Sequence, residues 1–171
     1  DMVEYRNVKK EDAGELWEFL KKLDTETDFM MYEPGEREQC TSAAELSRDI
    51  EENVQNGGDF FQIAVCDGNM VGFLRAERGR FRRISHTAYV VTGILKSHRG
   101  QGIGTAFFEQ LDTWAAENGI RRLELTVECT NQAARHLYEK SGFVTEGVRR
   151  EAMCVDGEFV DEWYMAKIFV P

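Results

Sequence analysis

The chain has 171 residues, 42% of them hydrophobic and 30% charged, with a formal net charge of −10 at pH 7. That length and apolar content suit one domain with its own core, read over residues 2–171 because Met2 makes a natural start. No run of about eighteen apolar residues could cross a bilayer and no charged-then-apolar leader is present, so a cytoplasmic protein that avoids membranes is expected.

"MVEYRNV" reads as a strand, and "EDAGELWEFLKKLDTE" carries Ala13, Leu16, Trp17, Leu20 and Leu23 at helical spacing. "TDFMMYEPGEREQC" breaks the period and reads as a loop before a second helix in "TSAAELSRDIEENVQN". "DFFQIAVCDGNMVGFLRAE" predicts an antiparallel hairpin turning across Cys66 to Asn69. "SHTAYVVTGIL", "GIGTAFFEQLDTWAAEN" and "RRLELTVE" predict a strand, a helix closed by Gly119 and a further strand, a crossover unit. "NQAARHLYEKS" predicts a short helix ended by Gly142, and "FVTEGVRREAMCVDGEFVDEWYMAKIF" a closing hairpin turning at Asp156-Gly157. This order implies a three-layer α/β domain whose central sheet is partly parallel and partly antiparallel, flanked by helices.

Charge is unevenly placed. No Asp or Glu occurs from Arg78 to Phe108, where Arg78, Arg80, Arg82, Arg83, Lys96 and Arg99 lie. Arginines 78 to 83 read one by one as a solvated hairpin loop, but the acid-free stretch runs on into a glycine turn, where a bound anion would need it. That turn, "LKSHRGQGIGTAFFEQL", places Gly100, Gly102 and Gly104 where a strand meets a helix. The first N–H groups of a helix lack partners and carry the positive end of its dipole, and glycine lets an anion touch them. Close helix packing is the plainer reading of the same glycines. A dinucleotide fingerprint fails because Thr105 and Phe107 stand where its last glycine would fall, and no Gly-Lys-Ser/Thr ends a P-loop. Cys40, Cys66, Cys129 and Cys154 form no Cys-x-x-Cys pair and have no histidine at ligand spacing, so reduced thiols and no metal are expected.

"RGQGIG" resembles the Arg/Gln-x-x-Gly-x-Gly/Ala signature of the GNAT superfamily of N-acetyltransferases, and "NQAARHLYEKSGF" resembles that family's Asn-x-x-Ala-x-x-Leu-Tyr-x-x-x-Gly-Phe element. The two stand in the family's order, one helix and one strand apart. The resemblance implies acetyl-CoA as co-substrate, its pyrophosphate held by Arg99, Gly100, Gln101, Gly102, Ile103, Gly104 and Thr105 with Lys96 nearby. It implies the pantetheine arm beside Ile94 and Leu95, approached by Asn131, Ala134 and Tyr138, and transfer to a primary amine of a small molecule or amino-acid derivative. A non-catalytic acetyl-CoA-binding module and an enzyme acting on a protein N-terminal amine stay open as alternatives.

Amine acylation by a thioester needs an oxyanion donor, a proton source for sulfur and a neutral amine. Tyr138 can protonate sulfur, although without the motif it would read as a core aromatic. A backbone N–H at Ile94 or Leu95 would meet the oxyanion if the strand splayed from its neighbour. "HTAYVVTGIL" lacks the carboxylate that some family members carry there, so the base stays open among Glu128, Glu33, Glu77 and His86. Cys129 invites an acyl-enzyme route, but direct transfer is the expectation. The post-helix loop and the last hairpin bring Phe29, Tyr32, Glu33, Glu36, Asp161, Glu162 and Trp163 as frames for a cationic amine, or as core and homodimer residues. Nothing in the sequence points to nucleic acid.

Overall fold

The computed structural model describes residues 2–170. The elements are β1 (Val3–Asn7), α1 (Ala13–Glu26), α2 (Arg37–Cys40), α3 (Ala43–Asp49), β2 (Phe60–Cys66), β3 (Asn69–Arg78), β4 (Thr87–Ile94), α4 (Ile103–Glu117), β5 (Arg122–Glu128), α5 (Gln132–Lys140), β6 (Val144–Val155) and β7 (Glu158–Ile168). The strands form a seven-stranded sheet in the order β1-β2-β3-β4-β5-β7-β6. Among the described strands only β4 and β5 pair in parallel, joined by the α4 crossover; every other pair is antiparallel, including β1 and β2, which the helices α1 to α3 connect. The mixed sheet flanked by helices is the architecture expected from the element order.

Each face of the sheet has its own core. Leu16, Phe19, Leu20 and Leu23 make the buried stripe of α1 and pack with Ile63 and Phe73. On the other face Phe107, Phe108 and Leu111 of α4 pack with Leu123, Leu125 and Tyr138. Trp17, expected in the α1 stripe, is only half-buried and lies under Lys21; Phe19 takes the core position instead. Both tight turns use left-handed pairs, Asp67-Gly68 and Asp156-Gly157, as hairpins of this twist require.

Two stretches differ from the sequence expectation. The loop after α1 contains the single-turn helix α2, whose Arg37 makes two hydrogen bonds of 2.7 and 3.0 Å to the buried Asp24. The helix expected over 41–56 starts at the Ser42 cap and widens into a π turn over Ile50–Gln55. There Asp49 reaches Arg75 of β3 at 2.6 Å, Ile50 stays buried, and the Asn53 carbonyl takes the Asp59 N–H.

The arginine run is not simply solvated. Arg80 and Arg75 both bind the fully buried carboxylate of Asp59, which also accepts the Arg78 N–H, and Arg78 itself donates to the Ser85 and Asn118 carbonyls. Burial alone would raise the Asp59 carboxyl, but these donors outweigh it and hold it below the usual carboxylate range. This cluster sits at the start of β4, about 25 Å from the glycine turn at the strand's far end, taking ~3.3 Å per residue. The acid-free stretch therefore serves two separate jobs: a clamp at one end of β4 and a glycine turn at the other.

Candidate active site

β4 and β5 pair only at Thr87↔Arg122, Ala88↔Leu123 and Tyr89↔Glu124, although β4 continues to Ile94 and β5 to Glu128. A gap opens between them. The Gly79 N–H bonds the Thr87 carbonyl and the Leu95 N–H bonds the Val71 carbonyl, which fixes the alternation along β4. Its odd-numbered residues exchange bonds with β3, so the even-numbered ones face β5: the Val90 N–H closes the ladder on the Glu124 carbonyl, and Thr92 and Ile94 turn their backbone polar groups toward the gap. The Leu95 N–H is thus spent, and of the two expected oxyanion donors only Ile94 faces the opening. Its carbonyl accepts Arg99 Nε at 3.2 Å.

The gap leads straight into the glycine turn. Gly100 and Gly102 have φ of +73° and +84° with open space where a Cβ would stand, so their backbone conformation is what requires glycine. Gly104 is different: a Cβ there would come within 2.6 Å of Leu137 Cδ2, so it lets α4 and α5 pack closely. The first bond into α4 from this turn is Ala106 N–H to the Gly102 carbonyl, and the N–H groups of residues 100 to 105 have no protein acceptor among the described residues. That row of free donors at a helix start is an anion cradle. Of the expected contacts, Gln101 donates to the Ser97 carbonyl, Ile103 is core, Thr105 is half-buried, and Lys96 and Arg99 stay exposed at the rim. The Lys96 N–H is taken by the Glu26 carboxylate at 2.8 Å.

α5 closes the other wall. Asn131 caps it, its Oδ1 accepting the Ala134 N–H at 3.2 Å, so the motif asparagine fixes where the helix begins. Ala134 is half-buried against the same core. Tyr138 is 8% exposed, packed edge-on to Phe108 with ring centroids 5.7 Å apart, and no described residue hydrogen-bonds its hydroxyl. Burial, with a smaller push from Tyr89, lifts its phenol above the ordinary range, so it holds its proton at neutral pH.

On the α1 face, the register places Glu128 of β5 directly beside Glu162 of β7. Glu162 is held by Arg149 of β6 at 3.1 Å. Asp161 accepts the Glu151 N–H at 2.8 Å, inside a bulge where β6 carries extra residues between Arg149 and Met153. Burial, then Glu162, then Asp28 raise the Glu128 carboxyl. Beyond them a cleft of about 230 Å³ lies between Asp28, Tyr32 and Glu33 of the post-α1 loop and Met153 to Asp156 of the last hairpin. Phe29 is exposed and Glu36 accepts the Glu33 N–H. Trp163 is not part of this side: strand alternation turns it to the α5 face, where Arg135 stacks on it at 4.4 Å. Of the four expected bases, Glu77 and His86 lie toward the paired end of β4, Glu33 lines the cleft, and Glu128 sits at the gap. Burial and Asp161 raise the Cys129 thiol, which keeps it protonated.

A sheet split between two parallel strands, with an anion cradle at its mouth, defines an acyl-CoA-using transferase class. The acetyltransferase (GNAT) family model matches residues 17–143, and the chain belongs to that family. It is 31% identical over 110 residues to the L-amino acid N-acetyltransferase of Escherichia coli (strain K12), a match spanning 62% of this chain and 66%, just under two thirds, of that relative. It is 24% identical over 161 residues to the spermidine N(1)-acetyltransferase of the same strain, spanning 92% of this chain and 81% of the relative. A GNAT-family acetyltransferase structure from Streptococcus pneumoniae superposes with a TM-score of 0.91 at 29% identity, covering 99% of this chain and all of that one.

Proposed function

We propose that residues 2–171 form one N-acetyltransferase domain that moves the acetyl group of acetyl-CoA directly to a primary amine of a small molecule. The observation that carries this reading is the continuous path from the free N–H groups of residues 100 to 105 into the gap lined by the unpaired backbone of Thr92 and Ile94. A pyrophosphate suits the cradle, and an amide-bearing chain suits a strand edge with open donors and acceptors. Lys96 and Arg99 would add charge at the rim, with Ile94, Leu95, Asn131 and Ala134 along the arm.

Acetyl-CoA supplies the thioester carbonyl and a thiolate leaving group. The Ile94 N–H faces the gap where an oxyanion would develop, and Tyr138 holds the proton that sulfur needs. Burial weakens Tyr138 as an acid, but a thiolate formed in the same buried place is raised by the same desolvation, so the transfer stays balanced. The raised Cys129 thiol supports direct transfer over an acyl-enzyme. On the acceptor side Asp28, Glu33, Glu128 and Glu162 favour a cationic amine. Amino acids and spermidine, the acceptors in the two relatives' names, are both primary amines.

The test is CoA release from acetyl-CoA across a panel of amino acids, diamines and polyamines, with the N-acetyl product identified by mass. Amine-dependent release matched by product supports the reading. CoA binding without release for any amine would leave a binding module instead, and release only with peptides would move the acceptor to a protein N-terminus.

A further inference from the structure

A primary amine acceptor is an ammonium at neutral pH, so a base must take a proton before nitrogen can attack. No carboxylate lies on β4. The buried carboxylates among the described residues are Asp24, Asp59, Glu128 and Glu162. Arg37 holds Asp24, Arg75 and Arg80 hold Asp59, and Arg149 holds Glu162. Glu128 is 5% exposed and its carboxylate has no hydrogen-bond or ion-pair partner among the described residues, yet neither carboxylate oxygen is sealed from solvent. A buried carboxylate without a partner is costly to keep unless the opening it faces brings one. It ends β5 at the gap, on the α1 face, while Tyr138 lies on the α4 and α5 face.

We propose that Glu128 is the general base of the acetyl transfer, working from the opposite face of the sheet to Tyr138. The assignment rests on the acetyl-transfer reading above. Glu128 takes one proton from the acceptor ammonium, the freed nitrogen forms a C–N bond at the thioester carbonyl, and the C–S bond breaks with its electron pair going to sulfur. Tyr138 gives its proton to sulfur and is restored by the second proton that nitrogen sheds as the amide forms. Glu128 passes the first proton to water, so the products are the N-acetyl amine, CoA thiol and one released proton.

The surrounding charges suit that task. Burial, Glu162 from β7 and Asp28 from the post-α1 loop raise the Glu128 carboxyl toward the range where it can accept and release a proton. Arg149 of β6 offsets part of the Glu162 charge, and Glu124, on the same face of β5, is paired with Arg122 at 2.6 Å.

The experiment measures kcat and KM against pH for the wild type, Glu128→Gln and Glu162→Gln with the best amine of the panel, beside CoA affinity by calorimetry. Glu128→Gln is expected to keep its CoA Kd, to lose about 10²–10⁴-fold in kcat at pH 7, and to lose the acidic limb, recovering as pH approaches the amine's own pKa. Glu162→Gln is expected to keep the limb but move it to lower pH, since a like charge has gone. If Glu128→Gln does not fold, Glu128→Asp should retain the limb at reduced kcat, and an unmoved limb in Glu162→Gln overturns the assignment. Native kcat with the native limb in Glu128→Gln overturns it, as does a raised KM at unchanged kcat. A wild type that releases no CoA with any amine overturns the acetyl-transfer reading and the base with it; wild type and Glu128→Gln are then alike at every pH.

Discussion

The two sides of the gap are built in opposite ways. The donor side is backbone: consecutive N–H groups of one glycine turn and alternate groups of one strand, all set by a few adjacent residues. The acceptor side is side chain: Asp28, Glu128 and Glu162 come from three distant segments and meet only because of sheet register and the fold of the post-α1 loop. Damage to the first should remove CoA binding whatever the amine, and damage to the second should leave CoA binding and alter the response to amine and pH.

The sharpest probe of that contrast is Gly102→Val. Its left-handed φ of +84° does not suit a β-branched residue, so the turn must move and its N–H groups swing away. Calorimetry should detect no CoA binding while the protein stays folded, destabilised by about 1–3 kcal/mol of backbone strain; native affinity would put the pyrophosphate elsewhere. Tyr138→Phe comes next, with kcat lowered about 10²–10⁴-fold and the CoA Kd unchanged. Because the Tyr138 pKa is raised, the wild-type pH profile should show no loss of this proton at or below pH 9.

Two substitutions should act first on the fold. Asp59→Ala strips a buried carboxylate from Arg75 and Arg80 and should cost about 3–5 kcal/mol in urea unfolding, with CoA affinity retained below the transition. The depressed Asp59 pKa means that its contribution is present above the ordinary carboxyl range and is lost as pH falls through the folded-state value, so the penalty should shrink in acid. Gly104→Val drives a side chain into Leu137 and should cost about 1–3 kcal/mol, with Leu137→Ala in the same chain giving less than the sum of the two. If Gly104→Val were as stable as wild type and lost only CoA binding, the distinction between Gly102 and Gly104 would fail. The smallest effect belongs to Cys129→Ser, which should keep activity within a few-fold, with no acetyl adduct on the wild type in intact-mass spectra after mixing with acetyl-CoA alone.

The same contrast explains what the sequence made legible. Strand and helix order followed from periodicity and turn chemistry, and the glycine turn and the placement of Tyr138 on α5 were readable because their signals are local. The role of each glycine was not: Gly102 and Gly104 look alike in sequence, and only the approach of Leu137 from α5 separates them. The proposed base, Glu128 rather than Glu77 or His86, rests on the point at which β4 and β5 part, a property of pairing that no residue type announces. Adjacency in sequence groups Trp163 with Glu162, but strand alternation sends neighbours to opposite faces. The clamp around Asp59 likewise leans on the π turn, whose Asn53 carbonyl holds the Asp59 N–H, and nothing in the helical pattern of 41–56 signals that widening.

The central claim is that the split between β4 and β5, with the glycine turn at its mouth, receives acetyl-CoA. Residue-resolved amide hydrogen exchange with and without CoA tests it directly, because the claim names backbone groups. Protection should rise at residues 100 to 105 and at Thr92 and Ile94, while Val90, already bonded to β5, the odd-numbered residues of β4, already bonded to β3, and the strands β1 and β2 stay unchanged. Saturating CoA that leaves those N–H groups exchanging as in the free protein, with protection appearing elsewhere, would contradict it.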